Sequence, residues 1–147
     1  MKFIMMNKHT YTLFLILSAF LLTSCATTQD ISNDVRTKVF QEDYNKVFKT
    51  TVQTLSDGGY VISDADQETG LINTDYSQAS EWEAFWTGDE RTKVNALLSE
   101  QNGGTQIRLT VSVQSKDFLT GWQSANMTKS KAEEYYEKLF SEISSNL

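Results

Sequence analysis

The chain is poor in histidine and cysteine, the residues that most often pair in nucleophilic catalysis and bind zinc. The 147 residues include one histidine, His9, and one cysteine, Cys25. A Ser/His/Asp or Cys/His nucleophile pair and a histidine–cysteine zinc site need more such side chains than this inventory supplies. The remaining candidates for acid and base work are two carboxylate pairs, Glu81 with Glu83 and Asp89 with Glu90. Acidic loops are usually only solvated, so the sequence predicts a protein that is not an enzyme and uses no metal or cofactor.

Cys25 directly follows a segment with the features of a secretory signal. Residues 1–24 begin with two lysines, continue through an apolar run over residues 11–22 and end on small residues. The run is well short of the about 20 apolar residues that a membrane-spanning helix needs. The sequence therefore predicts a cleaved signal peptide, whose removal takes His9 with it. The alternatives are a retained membrane helix and an ordinary signal in which Cys25 is incidental.

The end of this segment resembles a bacterial lipobox, in which a branched apolar residue and two small residues precede a cysteine. The matching residues are Leu22, Thr23, Ser24 and Cys25. The resemblance implies that Cys25 takes a diacylglycerol thioether, that the chain is cut before it and that the new amine is often acylated. Two or more acyl chains hold a protein on a membrane. By the same resemblance, Ala26 indicates the periplasmic side of the outer membrane in an organism with two membranes.

The chain that remains after cleavage has room for one domain. Residues 25–34 are interpreted as the lipidated cysteine and a short polar tether, and residues 35–147 as a single domain. Removing the two signal lysines leaves 11 of the 13 basic residues against 19 acidic ones. This negative balance argues against binding nucleic acid. Because no second cysteine is present to form a disulfide, an apolar core must hold the domain together.

Hydrophobic periodicity predicts seven elements of secondary structure. They are a strand at 35–40, a helix at 42–56, hairpin strands at 60–64 and 71–76, hairpin strands at 91–100 and 105–114, and a helix at 129–146. In the last strand every second residue is apolar, so one face of the sheet is buried and the other is wet. The order β-α-β-β-β-β-α predicts an α+β fold with an antiparallel sheet of about five strands and two helices packed on one face.

Residues 44–76, YNKVFKTTVQTLSDGGYVISDADQETGLINTDY, resemble the C subunit of the bacterial β-barrel assembly machinery, the NlpB family. In that family an aromatic-rich helix runs into a GY.I.D and GLI pattern and on through paired strands to a closing helix. The resemblance covers residues 35–147 and implies a helix-grip-like fold. It also implies a lipid-anchored accessory or protein-interaction module, with the membrane and an envelope protein as its partners.

Two aromatic segments occur where polar connections are expected. Their candidate partner-binding residues are Trp82, Phe85, Trp86, Phe118, Leu119 and Trp122. In an antiparallel meander, the connection between the second and third of these four strands lies at the same end of the sheet as the exit from the fourth strand. We therefore expect the two segments to lie together. Such a cluster is typical of a protein-binding surface, and the alternative is a small satellite core. The second functional hypothesis is binding of a small ligand, lipid or glycan in a cavity between sheet and terminal helix, or by the tryptophans.

Overall fold

A computed structural model describes residues 31–78 and 89–147. Its elements are α1 (Asn33–Arg36), β1 (Thr37–Phe40), α2 (Tyr44–Asp57), β2 (Ile62–Asp66), β3 (Leu71–Thr74), β4 (Glu90–Gln101), β5 (Gly104–Asp117), β6 (Gly121–Ala125) and α3 (Lys129–Ser145). The predicted signal peptide and lipobox lie outside these ranges. Within them, no helix has the length and apolar character required to cross a membrane.

The six strands form one antiparallel sheet centred on β5. Strands β2, β3, β4 and β5 are successive neighbours, and the other edge of β5 pairs with both β1 and β6. Strand β1 pairs with the beginning of β5, with Phe40 opposite Thr105, while β6 pairs with its end, with Val113 opposite Ala125. Because β5 is 14 residues long, it has room for two short strands along one edge.

The two long helices cover the same face of this sheet. Helix α2 begins after Asp43, whose carboxylate accepts hydrogen bonds from the N–H groups of Asn45 and Lys46. Helix α3 begins after Thr128, whose hydroxyl accepts from the N–H of Lys131. The apolar sides of both helices and the inward residues of the strands form one core. Its most deeply buried members include Val47, Leu55, Ile72, Val94, Ile107, Leu109, Tyr135, Leu139 and Ile143.

Neither long helix covers the opposite side of the sheet, which we call the bare face. The short helix α1 reaches its edge, where the Asn33 side-chain oxygen accepts from the Arg108 guanidinium at 3.3 Å. Strand β4 shows the division most clearly because successive side chains point to opposite sides. The buried residues are Thr92, Val94, Ala96 and Leu98, and the outward residues are Arg91, Lys93, Asn95 and Leu97. The alternation predicted from sequence therefore separates an apolar face from a largely polar one.

The α+β class, the antiparallel sheet and the two long helices on one face are confirmed, with two differences in detail. The sheet has six strands instead of about five, because residues 121–125, which were not predicted as a strand, pair with β5. The short helix α1 replaces the start of the predicted first strand, so Val35 and Arg36 are helical. The Arg36 guanidinium donates to the Asn33 side-chain oxygen at 2.9 Å and closes this turn, which begins inside the predicted tether.

Candidate functional site

The bare face carries a group of cationic and aromatic side chains around Arg91. The Arg91 guanidinium carbon lies 4.9 Å from the ring centroid of Tyr76 and 4.3 Å from that of Trp122. The Lys93 Nζ atom lies 6.0 Å from the Tyr76 ring, and the Lys116 Nζ atom lies 6.0 Å from the Trp122 ring. At these distances the face of an aromatic ring attracts a cation. We call these five residues the cation–aromatic cluster.

Strand register brings the members of the cluster together. Arg91 of β4 lies opposite Gln114 of β5, and Lys116 of β5 lies opposite Trp122 of β6. The Gln114 side-chain oxygen accepts from Arg91 Nε at 2.9 Å and from Arg91 Nη2 at 2.7 Å. These two hydrogen bonds orient the guanidinium plane while the two rings flank it. The position of the Arg91 side chain is therefore determined by contacts within the domain.

A second feature lies at the end of the same sheet, in the turn between β5 and β6. In Asp117–Gly121, which we call the DFLTG turn, Phe118 is 99% exposed and Leu119 is 87% exposed. The Asp117 carboxylate accepts from the N–H groups of Leu119 and Thr120 at 2.9 Å and from the Thr120 hydroxyl at 3.0 Å. Gly121 has a φ of 75°, which favours glycine. Asp117 and Gly121 thus form a turn that presents two large apolar side chains to solvent.

The electrostatics of this turn follow from its hydrogen bonds. The backbone N–H of Thr120, then that of Leu119, and the Thr120 hydroxyl lower the pKa of Asp117 below its ordinary value, because all three donate to the charged carboxylate. The carboxylate is therefore charged near neutral pH.

The turn between β2 and β3 uses the same arrangement. In Asp66–Gly70, which we call the DQETG turn, the Asp66 carboxylate accepts from the N–H of Glu68 at 2.9 Å and from that of Thr69 at 3.3 Å. Gly70 also has a φ of 75°. The hydroxyl and then the N–H of Thr69, followed by the N–H of Glu68, lower the pKa of Asp66. The two middle residues are exposed here too, but they are glutamine and glutamate.

The structure describes three of the six predicted partner-binding residues, and it separates them. Phe118 and Leu119 stand at the tip of the DFLTG turn, whereas Trp122 lies on the bare face against Arg91. The other three, Trp82, Phe85 and Trp86, lie outside the described residues, as do Leu22, Thr23, Ser24 and Cys25. The first described residue after the gap, Asp89, accepts at its carbonyl from the N–H of Lys116 at 2.8 Å. That flank of the first aromatic segment therefore lies beside the DFLTG turn.

A satellite core is present near this end of the sheet, but Phe118 and Leu119 are too exposed to belong to it. It consists of Val113, Met127 and Ala132, against which Ile31, Val111 and Ala125 pack. A cavity beside it has a volume of about 260 Å³ and is also lined by Tyr136 and Ser124. Pockets for drug-sized ligands usually measure about 300–1,000 Å³, and this cavity lies just below that range. Within the described ranges, no three His, Cys, Asp or Glu residues form a group suited to a metal ion.

Tyr76, Arg91 and Gln114 were not predicted from the sequence as members of a site. Each lies near the end of a strand, where a polar or aromatic residue is expected to be solvated. The signal that was available is the phase of β4, in which Arg91 and Lys93 share the outward side. The contacts of Arg91 with Gln114 and Trp122 depend on strand register and on β6, which the sequence analysis did not specify.

Together, the fold and these features define a small α+β domain with helices on one face of a sheet and a preorganised cationic and aromatic surface on the other. Residues 28–130 match the model of the family described as outer membrane protein assembly factor BamC-like C-terminal domain, and the chain belongs to this family. The match begins before α1 and ends in the first turn of α3. It confirms the family resemblance that the sequence indicated. No curated protein matches the chain.

Proposed function

We propose that this chain is a non-catalytic accessory module of outer-membrane protein assembly that docks on an envelope protein. The family description supports the assembly role. The resemblance of residues 22–25 to a lipobox supports an anchor at Cys25, which would hold the domain at the periplasmic side of the outer membrane. In this function the domain contributes a binding surface, and the bare face is that surface.

The observation that carries the proposal is the fixed position of Arg91 between Tyr76 and Trp122. Arginine, tyrosine and tryptophan are the residues that most often dominate the energy of a protein interface. Because Gln114 already orients the guanidinium, docking costs less side-chain entropy than it would for a free arginine. The arrangement therefore has both the composition and the rigidity of an interface hot spot.

An apolar patch extends the same face. Leu71 and Leu97 lie opposite each other on β3 and β4 and are 41% and 45% exposed. A partner that matches the face would present an acidic side chain to the cation–aromatic cluster and apolar side chains to the two leucines. We propose that Trp82, Phe85 and Trp86 bind the same partner as Trp122. Phe118 and Leu119 form a separate surface at the end of the sheet.

Site-specific photo-crosslinking in living cells tests this assignment. A photoreactive residue placed at Leu97 of the full chain should trap one abundant envelope protein, which mass spectrometry of the adduct identifies. The matched control is the same probe at Glu137, which is exposed on α3 on the other side of the domain. No adduct at Leu97, or the same adducts at both positions, would contradict docking through the bare face.

Two variants then measure how much Arg91 and Lys93 contribute to docking. Arg91→Ala should reduce the Leu97 adduct by about tenfold or more, because interface hot spots contribute about 2 kcal/mol or more. Lys93→Ala should have a smaller effect, because Lys93 lies farther from its ring than Arg91 does. Circular dichroism of both variants checks that the fold is kept. An unchanged adduct from a folded Arg91→Ala protein would remove Arg91 from the interface.

A further inference from the structure

We infer that the DFLTG turn inserts Phe118 and Leu119 into the lipid bilayer to which the chain is anchored. The backbone of the turn does not require these residues, because the DQETG turn uses the same Asp, Thr and Gly with glutamine and glutamate between them. Two adjacent large apolar side chains at 99% and 87% exposure are unfavourable in water. Since the DQETG turn forms without such residues, we assign Phe118 and Leu119 to a contact outside the fold.

The bilayer is the contact that fits Phe118 and Leu119, because the predicted tether joins the fold near the DFLTG turn. Ile31 packs in the satellite core beside Val113 and Ala125, which face each other on β5 and β6. From Val113 to Asp117 the strand advances by about 13 Å, so the DFLTG turn begins close to the point where the tether joins the fold. Cys25 precedes Ile31 by six residues, which span about 20 Å when extended. A Cys25 anchored at the lipid surface therefore leaves the turn within reach of the same surface.

The opposite end of the sheet provides the contrast. The Gly70 carbonyl of the DQETG turn accepts from the N–H of Leu98 at 2.9 Å, whereas the DFLTG turn adjoins Asp89 through Lys116. Leu98 and Asp89 are separated by nearly the whole of β4, about 30 Å. When the DFLTG turn touches the bilayer end-on, the DQETG turn is held away from it. The polar turn is thus the one at the end of the sheet that lies farther from the tether.

The residues next to the tip suit a lipid interface. Lys116 and Trp122 lie opposite each other directly behind the turn, with the lysine Nζ 6.0 Å from the indole ring. Tryptophan is enriched where headgroups meet hydrocarbon, and lysine extends its charge back to water there. The Asp117 carboxylate is satisfied by three hydrogen bonds within the turn. Because the mature chain is predicted to be strongly acidic, we expect apolar insertion and not attraction to anionic lipid to drive the contact.

The test measures the depth of the turn in the full lipid-anchored chain. Cys25 is the only cysteine and is acylated in the proposed protein, so a cysteine introduced as Leu119→Cys takes a nitrobenzoxadiazole label alone. The protein is reconstituted in vesicles of phosphatidylethanolamine and phosphatidylglycerol that contain spin-labelled lipid. The matched control is Glu68→Cys, which occupies the same position of the DQETG turn. We expect lipid quenching at position 119 and quenching only by aqueous iodide at position 68.

A second, conservative variant tests whether Phe118 inserts into the bilayer or only lies near it. Phe118→Gln places in the DFLTG turn the residue that the DQETG turn has at that position, so the turn should still form. We expect it to lower lipid quenching of the label at position 119 several-fold while circular dichroism stays unchanged. Unchanged lipid quenching would mean that Phe118 does not hold the tip in the bilayer, and would overturn its assignment.

The remaining outcomes are also decisive. A label at position 119 that iodide quenches as strongly as the label at position 68 places the tip in water and overturns the inference. A label shielded from both quenchers only when other envelope proteins are present would assign the tip to a protein pocket instead. The inference rests on the proposed anchor at Cys25, which sedimentation of the chain with the vesicles reports separately. If the chain does not sediment with the vesicles, both the anchor at Cys25 and the insertion of the DFLTG turn are overturned. If the chain sediments but iodide quenches the label at position 119, only the insertion is overturned.

Discussion

The DQETG and DFLTG turns share one backbone design but stand in different surroundings. In both, an aspartate accepts from the N–H groups two and three residues ahead, and a glycine with φ 75° ends the turn. The DQETG turn is tied to the fold, because the Tyr44 hydroxyl donates to the Gln67 carbonyl at 2.7 Å. A Cβ atom added at Gly121, in contrast, would meet no atom within 4 Å. Among the described residues, the first turn is packed against other elements of the fold, whereas the second contacts only its own hairpin.

The comparison shows what each residue of such a turn is for. The aspartate and the glycine determine the backbone, and the two middle residues do not. Glutamine and glutamate occupy the middle positions of the DQETG turn, which packs on the fold, and phenylalanine and leucine occupy those of the DFLTG turn. The difference therefore reports on the surroundings that each tip meets, which is why it supports a binding role for Phe118 and Leu119.

The largest expected effect comes from the two glycines. Gly70→Ala and Gly121→Ala impose the same left-handed strain, about 1–2 kcal/mol. At Gly70 the new Cβ would also lie 2.2 Å from the Leu98 backbone oxygen, so β4 must move. We expect Gly70→Ala to lower the free energy of unfolding by about 3–5 kcal/mol and Gly121→Ala by only the strain. Urea denaturation of both variants measures the two losses of unfolding free energy. Equal losses would contradict the conclusion that only the DQETG turn is packed against the fold.

Much of the fold could be predicted from the sequence because its local signals agree with the final packing. The alternation of β5 and the helical stripe of α3 each identify a buried face, and both faces meet in the core. Strand β6 was missed for a specific reason. Strands 60–64 and 71–76 are predicted as a hairpin around Thr69-Gly70, but no hairpin is predicted around the same Asp-x-x-Thr-Gly pattern at 117–121. Phe118 and Leu119 made that segment resemble an aromatic connection more than a turn.

An effect of intermediate size is expected from the contact that ties the DQETG turn to α2. Tyr44→Phe removes the hydroxyl that donates to Gln67 and should cost about 0.5–1.5 kcal/mol, the usual net contribution of one hydrogen bond. Amide hydrogen exchange should accelerate over residues 67–70 and stay unchanged over residues 118–121. Acceleration in both turns would show a global loss of stability instead of local release. Tyr44→Leu is the harsher control, because it also removes the ring that packs on Phe48.

The candidate site was less predictable than the fold because it depends on register. Trp122 was identified from its residue type, but its partner Arg91 is 31 positions away in the sequence. The two meet only because β4, β5 and β6 pair so that Arg91, Gln114 and Trp122 share one face. A shift of one residue would move Arg91 to the helix-covered face. Strand pairing of this kind is set by the whole core and cannot be read from either segment alone.

The smallest expected effect tests whether the aspartates hold both turns. The folded-state pKa values of Asp66 and Asp117 lie below the ordinary value of 3.8, because the donors in each turn favour the charged carboxylate. Their stabilisation is therefore complete above the ordinary value and is lost as the pH falls through the lowered pKa. We expect the amide protons of Glu68 and Leu119 to report this loss in an acid NMR titration.

The two turns should respond unequally to that loss. Only the DQETG turn retains the Tyr44 and Leu98 contacts, so its amides should remain protected after Asp66 is protonated. Among the described residues, the DFLTG turn is held only by its own hairpin, in which the Gln123 side-chain amide donates to the Thr120 carbonyl at 3.1 Å, so its amides should exchange faster than those of the DQETG turn. Asp117→Asn should abolish the pH response while it keeps one acceptor oxygen, whereas Asp117→Ala should loosen the turn at every pH. Equal protection of both turns in acid would mean that the DFLTG turn is held by strand pairing alone, and that Asp117 only orients its tip.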